Sequence, residues 1–269
     1  MPASAAPPFD TIVFDLDGTL IDSAWDVGQA VNRVLQDEGL PGMDEATARS
    51  LMGEGGKVMM ARAFAKAGRK LDETMLNALT RRFIGYYKEN PVAHTLPYPG
   101  VPETLATLRQ SGARMAVCTN KFEEPARQIL HALDLMKFLD DVAGADTFDV
   151  RKPDPGHVTQ LVARMRGNLA KAVMVGDSMH DVHAGQRAGI PVVAVSWGYT
   201  VQEPATFGAE MLIERFADLP RALADLASGH QAVPDFKPVD VRRPRHAGCK
   251  NAVTIRGRKS TLTAGGQGG

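Results

Sequence analysis

Four short stretches of the chain are almost continuously apolar: TIVFDL at 11–16, RMAVCT at 114–119, KAVMVGD at 171–177 and PVVAVSW at 191–197. They do not alternate apolar with polar residues, so a strand built from any of them must be buried on both faces. That is the condition of a parallel sheet covered by helices on each side. Weaker runs at 141–146 and 210–213 extend the set. Helical patterns separate the runs, at roughly 101–111, 124–133, 155–166, 180–188 and 218–227. The alternation predicts an α/β fold, a doubly wound parallel-sheet core.

One interval breaks the alternation. Residues 23–91 contain no convincing strand. Val27, Ala30, Val31, Val34 and Leu35 instead recur at helical spacing, as do Met60, Ala63, Phe64 and Ala67. Leu76, Leu79, Phe83 and Tyr87 nearly repeat it. These are amphipathic helices, and they predict a small α-helical cap domain at 23–91 inserted into a core made of 1–22 and 92–228. The proline-rich NPVAHTLPYPG at 90–100 serves as the return linker.

The last residues differ again. The chain carries 31 basic and 31 acidic residues, but from Gly229 onward there are 8 Lys and Arg against 2 Asp and Glu. A neutral total therefore hides an acidic body and a basic tail at 229–269, whose low apolar periodicity predicts disorder. Overall neutrality speaks against a general affinity for nucleic acid or membrane. No apolar stretch approaches membrane-spanning length, and the N-terminus reads as no secretory signal. Two distant cysteines, Cys118 and Cys249, form no disulfide framework, and the expected location is cytoplasmic. The oligomeric state is left open.

In an open α/β sheet the ligand crevice lies at the carboxyl ends of the strands. Asp15 and Asp17 end the first run, Thr119 and Asn120 the second, and Asp177 the third, with Asp181 a turn later. Lys152 follows the weaker 141–146 run. Carboxylates, a hydroxyl and an ammonium thus gather at one rim. Carboxylates so close repel unless a cation holds them, and hard oxygen ligands of this kind suit Mg²⁺. In an extended chain Asp15 and Asp17 face the same way and can share a site. Gly18 permits a tight turn or the close approach of a ligand, and Thr19 can hydrogen-bond back to fix the loop. Each feature has a plain structural reading as well: Asp-Gly closes many strands, Asp177 can cap a helix, and Lys152 can be a loop lysine.

Taken together, DLDGT, the strand-ending Thr119, RKP with Lys152, and GDSMHD resemble the four signature motifs of the haloacid dehalogenase superfamily, in order. The resemblance covers about residues 11–226, and the inserted helices are similar to that superfamily's small cap. MGEGGKVMMARAF at 52–64 and YPGVPETLATL at 98–108 are similar to phosphoglycolate phosphatases. The resemblance implies Asp15 as nucleophile, Asp17 as general acid and base, and Lys152 as the cation neutralising the transferring phosphoryl group. It implies that Thr119, with Asn120 and Gly18 nearby, binds substrate. Mg²⁺ would be held by Asp15, Asp17 through its carbonyl, and Asp177, supported by Asp181, Ser178 and Thr19.

GEGGK at 53–57 lacks the spacing of a nucleotide phosphate loop, but a helix start beside Lys57, with Arg62 beyond, can form an anion site. These two residues are the expected cap contacts to the substrate. The implied reaction is Mg²⁺-dependent hydrolysis of a small phosphorylated metabolite, 2-phosphoglycolate first. Another small-molecule phosphatase, a pyrophosphatase or a phosphomutase of the superfamily is the alternative. An acid at Asp17 argues against a dehalogenase. A nucleic-acid-binding or regulatory role through the basic tail is a separate alternative, weakened because Phe236 is the tail's single aromatic residue.

Overall fold

Six of the expected apolar runs form one sheet. In the computed structural model, which describes residues 9–200 and 202–229, the elements run β1 (Thr11–Phe14), β2 (Ile21–Asp22), α1 (Ala24–Asp37), α2 (Glu45–Ser50), α3 (Gly56–Lys66), α4 (Glu73–Glu89), β3 (Leu96–Pro97), α5 (Val101–Gln110), β4 (Arg114–Cys118) and α6 (Glu123–Ala132). They continue with β5 (Asp141–Ala143), α7 (Pro155–Arg164), β6 (Ala172–Gly176), α8 (Met179–Arg187), β7 (Val192–Val195), β8 (Met211–Ile213) and α9 (Leu219–Ala227). The expected basic tail at 230–269 lies outside the described residues.

The large sheet has the order β5-β4-β1-β6-β7-β8, and every neighbouring pair is parallel. Why the runs are continuously apolar is visible in where alternate residues go. Met115 and Val117 of β4, with Val173 and Val175 of β6, join one hydrophobic cluster. Ala116, Cys118 and Met174, from the same strands, join a second cluster on the opposite face with Val158, Leu161 and Val182 of α7 and α8. Each strand feeds both, so neither face tolerates polar residues.

The chain leaves β1, places β4 and β5 on one side, then returns to place β6, β7 and β8 on the other. Strand order therefore reverses at β1. A crevice opens there because the connections leaving β1 and β6 part in opposite directions, which makes the carboxyl end of β1 the natural ligand site.

Helices α1 to α4 lie between β1 and β4 in the chain, where the spacing predicts them. The α1 stripe Val27, Ala30, Val31, Val34 and Leu35 is buried, and with Met60, Phe64, Leu79 and Phe83 it belongs to the same cluster as β1 residues Ile12 and Phe14. Asp44 and Asp72 start α2 and α4 by accepting the Thr47 and Met75 N–H groups at 2.7 and 2.8 Å. At the neck of the insertion, β2 and β3 pair antiparallel as a two-residue ribbon, Ile21 with Pro97 and Asp22 with Leu96. Periodicity does not reveal a ribbon this short. Among the described residues no helix is long and apolar enough to cross a membrane.

Candidate active site

The loop after β1 is a hook. The Leu16 carbonyl accepts N–H groups of Leu20 and Ile21 at 2.9 and 3.1 Å and of Thr19 at 3.3 Å, so the chain reverses within five residues and leaves the Asp15 and Asp17 side chains at the sheet edge. Gly18 occupies the left-handed region with φ +88°, and a Cβ there would stand 2.4 Å from Asp177 Oδ2. Only glycine satisfies both the turn and the approach of β6's terminal carboxylate.

Register brings the other groups level. Phe14 pairs with Val117 of β4 and Val175 of β6, so Asp15 stands beside the strand ends that lead into Thr119 and Asp177. Asp15 is 6 % exposed, Asp177 2 % and Asp181 0 %, and each offers an oxygen within 4.8 Å of the other two. Lys152, also buried, enters from the β5–α7 loop. Its Nζ lies 2.8 Å from Asp15 Oδ1 and 2.6 Å from Asp181 Oδ1. The contact with Asp15 is an ion pair off the hydrogen-bonding direction, and Asp15 Oδ1 has no hydrogen-bond donor.

Three buried carboxylates against one ammonium leave the group short of positive charge. Burial, opposed by Lys152 and reinforced by Asp181, pushes the Asp15 carboxyl up to about 6. Burial and then the Asp15 charge push Asp177 well above the usual carboxylate range. Burial disfavours the Lys152 ammonium, but Asp15 and Asp181 outweigh it and hold the lysine charged. A hard divalent cation fits this donor set: it takes carboxylate oxygens and removes the repulsion. Asp177 is held for that purpose by the Tyr199 N–H at 2.8 Å and, more loosely, by Thr19 Oγ1 at 3.5 Å.

Asp181 and Ser178 open α8 as a capping pair. The Ser178 N–H and hydroxyl both donate to Asp181 Oδ2, at 3.0 and 2.6 Å, which fixes the other carboxylate oxygen on Lys152. Lys152 is also fixed through its backbone by a residue that sequence reasoning missed. The Lys152 N–H donates to His157 Nδ1 at 3.1 Å, and His157 Nε2 meets the Gly144 carbonyl at 3.0 Å. Burial and the Lys152 charge hold His157 down to about 4, so it stays neutral with Nδ1 free to accept. The PDPGH segment after Lys152 reads as a helix start, with Asp154 accepting the Gly156 N–H at 2.7 Å, and nothing in it marks His157 as buried.

Asp17 faces a different cation. Both its carboxylate oxygens lie 2.9 Å from Lys121 Nζ, and the Ser23 hydroxyl donates to Oδ1. Lys121 was not anticipated either. Its signal in the sequence is its place in TNK, two residues beyond Thr119. Thr119 Oγ1 accepts the Lys121 N–H at 3.2 Å, and Asn120 Nδ2 donates to the Lys152 carbonyl at 3.2 Å, so the residues just after β4 tie the two lysines' loops together.

A cavity above this rim is lined by Asp15, Asp17, Thr119, Asn120 and Lys121 from the core and, among others, Leu51, Gly53, Gly55, Gly56, Phe83 and Tyr87 from the insertion. The GEGGK backbone reaches the cavity. The expected cap contacts do not: Lys57 is paired with Glu73 and Arg62 with Glu54 at 2.6 Å, and neither lines the cavity. The correction has a simple cause. A helix that starts with its glycines over the cavity turns the following long side chains toward the insertion's own surface carboxylates. Cys118 is the small buried hydrophobe that its strand position implies, with burial pushing its thiol up to about 12.

A sequence model described as haloacid dehalogenase-like hydrolase matches residues 12–195, more than half of the chain. The chain belongs to the haloacid dehalogenase-like hydrolase family. A phosphoglycolate phosphatase from Caulobacter vibrioides is 41 % identical over 216 residues, covering 80 % of this chain and 91 % of that protein. One from Mesorhizobium japonicum is 41 % identical over 222 residues, covering 81 % and 98 %. The solved structure of a predicted phosphoglycolate phosphatase from Haemophilus somnus 129PT superposes with a TM-score of 0.75 at 30 % identity, covering 81 % of this chain and 99 % of that one. Within the family this chain is a phosphatase, a phosphoric monoester hydrolase, most similar to proteins named phosphoglycolate phosphatase.

Proposed function

We propose that this phosphatase hydrolyses 2-phosphoglycolate to glycolate and phosphate through a phosphorylated Asp15, with Mg²⁺ as cofactor. The observation that carries the mechanism is the split between the two first-loop acids. Asp15 is buried with Asp177, Asp181 and Lys152, whereas Asp17 stands apart on the cavity wall with Lys121. This split supports a reading in which Asp15 forms the bond to phosphorus and Asp17 moves a proton. The names of the relatives support the substrate.

In this reading an Asp15 oxygen attacks phosphorus and the ester oxygen departs, taking a proton from Asp17. Asp17 then accepts a proton from the water that cleaves the aspartyl-phosphate. Lys152 offsets the negative charge brought by the phosphoryl group, and the Thr119 hydroxyl donates to it. Asp15, Asp177 and the Asp17 carbonyl would hold Mg²⁺, which when bound supplies further positive charge to the phosphoryl oxygens and keeps the carboxylates together. Asp181 acts through Lys152, which it orients.

Phosphate release from a panel of small phosphorylated acids, sugar phosphates and pyrophosphate, with and without Mg²⁺, tests the assignment. The expected result is Mg²⁺-dependent release with 2-phosphoglycolate giving the highest kcat/KM. A much higher value for a hexose phosphate or pyrophosphate refutes the substrate and leaves the chemistry standing.

Asp17→Asn is expected to slow the phosphorylation step for an alkyl ester by ~10²–10⁴-fold, the usual contribution of a positioned acid. Aryl phosphates, whose leaving groups need little protonation, should lose much less in that step. Rapid-quench measurement of both ester classes separates the cases, since equal losses would mean that Asp17 serves only to anchor Lys121.

A further inference from the structure

We propose that Lys121 is the specificity residue that receives the substrate's carboxylate, an inference that rests on 2-phosphoglycolate being the substrate. Among the residues lining the cavity Lys121 is the only cation. Lys152 lies beneath the rim, committed to Asp15 and Asp181. The rest of the upper wall is largely apolar, including Val27, Leu51, Met59, Phe83 and Ile84. A carboxylate carried into such a wall loses its hydration and needs a charged partner there.

Stereochemistry decides where that partner must be. In 2-phosphoglycolate the ester oxygen and the carboxylate are bonded to the same methylene carbon. When Asp17 reaches the ester oxygen to protonate it, the carboxylate is therefore beside Asp17 as well. A cation that already touches Asp17 is within reach of it. Lys121 is that cation, with its Nζ 2.9 Å from both Asp17 oxygens and its side chain only 11 % exposed. An ammonium carries three donors and can hold Asp17 while accepting a second carboxylate. It sits 4.7 Å from the centre of the Tyr87 ring, which closes the site from the insertion's side. Tyr87 is itself buried in the same wall, and its hydroxyl and the Lys121 ammonium act on each other.

Lys57 and Arg62 stand outside this arrangement. Their charges are spent on Glu73 and Glu54, outside the lining. Lys121 instead comes from the loop that follows β4, two residues beyond Thr119, whose hydroxyl accepts the Lys121 N–H at 3.2 Å.

The test compares kcat/KM for 2-phosphoglycolate with that for 2-hydroxyethyl phosphate, which replaces the carboxylate by a neutral alcohol, in wild type, Lys121→Met and Lys121→Arg. Loss of the Asp17 partner lowers both substrates by a common factor, and that factor cancels in the ratio. Wild type is expected to prefer 2-phosphoglycolate, and Lys121→Met to shrink the preference by ~10²-fold. Lys121→Arg, keeping a cation, should restore part of it. Circular dichroism confirms folding, and Lys121→Gln replaces the Met variant if that one fails to fold. A preference unchanged within about threefold in the folded neutral variant overturns the assignment while leaving the substrate reading intact. A wild type with no preference for the carboxylate overturns both.

Discussion

Asp15→Asn is expected to reduce turnover by ~10⁴-fold or more while leaving the fold intact. The amide is isosteric but cannot form the acyl phosphate, and it is a poorer ligand for a hard cation. Nothing in the packing requires the charge. Asp15 is buried, its carboxyl is pushed up to about 6, and Asp181 repels it, so an uncharged side chain suits the apo protein well enough. Lys152 keeps its hydrogen bond to Asp181. Circular dichroism should therefore match wild type, and the metal-free variant should melt no lower. Acid-quenched single turnovers of wild type should trap phosphate on Asp15, located by peptide mapping, and the variant should trap none. Substantial activity in a verified Asn variant would sink the covalent mechanism.

The second large effect concerns metal and pH together. Asp177→Asn should abolish Mg²⁺-dependent activity yet raise the melting temperature in EDTA at pH 7.5. Folding raises the Asp15 and Asp177 pKa values above their unfolded values, so the folded state favours their protonated forms. The associated stability is fully present below the unfolded value of 3.8 and is lost as pH rises, for Asp15 through about 6. Metal-free wild type should therefore lose stability between about pH 4 and neutrality. Bound Mg²⁺ replaces the protons and restores it. At a hundredfold excess over Kd this is worth about 2.7 kcal/mol, or roughly 5–10 °C in Tm for a chain of this size. The increment should be larger at pH 7.5 than at pH 5, where protons compete. Asp177→Asn keeps an oxygen for the Tyr199 N–H but removes one of the repelling charges and one metal ligand. It should be less pH-sensitive and unresponsive to Mg²⁺. Differential scanning calorimetry reads all of this, and an undiminished Mg²⁺ response in the variant would remove Asp177 from the metal set.

These expectations use residues that are legible in the chain because each sits at the end of an apolar run. Asp15, Thr119 and Asp177 end strands, so predicting the strands predicts a shared edge. His157 was not legible, and Lys121 only by its place two residues beyond Thr119. Lys121 differs from a surface lysine only in what lies opposite it, Asp17, 104 residues away in the chain. His157 differs from an exposed helix residue only through the buried carbonyl of Gly144 and the N–H of Lys152. Lys57 and Arg62 misled for the same reason in reverse, since a glycine-rich helix start beside basic residues has the composition of an anion site whichever way the side chains turn.

The pattern of apolar runs dictates the architecture and the sheet edge at which the acids gather. Continuous apolar runs demand a two-sided parallel sheet, helical spacing at 23–91 demands an insertion without strands, and acids following the runs must emerge at the carboxyl edge. Which cation meets which carboxylate is set by three-dimensional packing: Lys152 with Asp15 and Asp181, Lys121 with Asp17, Lys57 with Glu73 and Arg62 with Glu54. Periodicity is a local property set by backbone geometry, and it places elements. Ion pairing depends on where long, flexible side chains from distant elements end up in a low-dielectric space, and no local pattern in the chain encodes that distance.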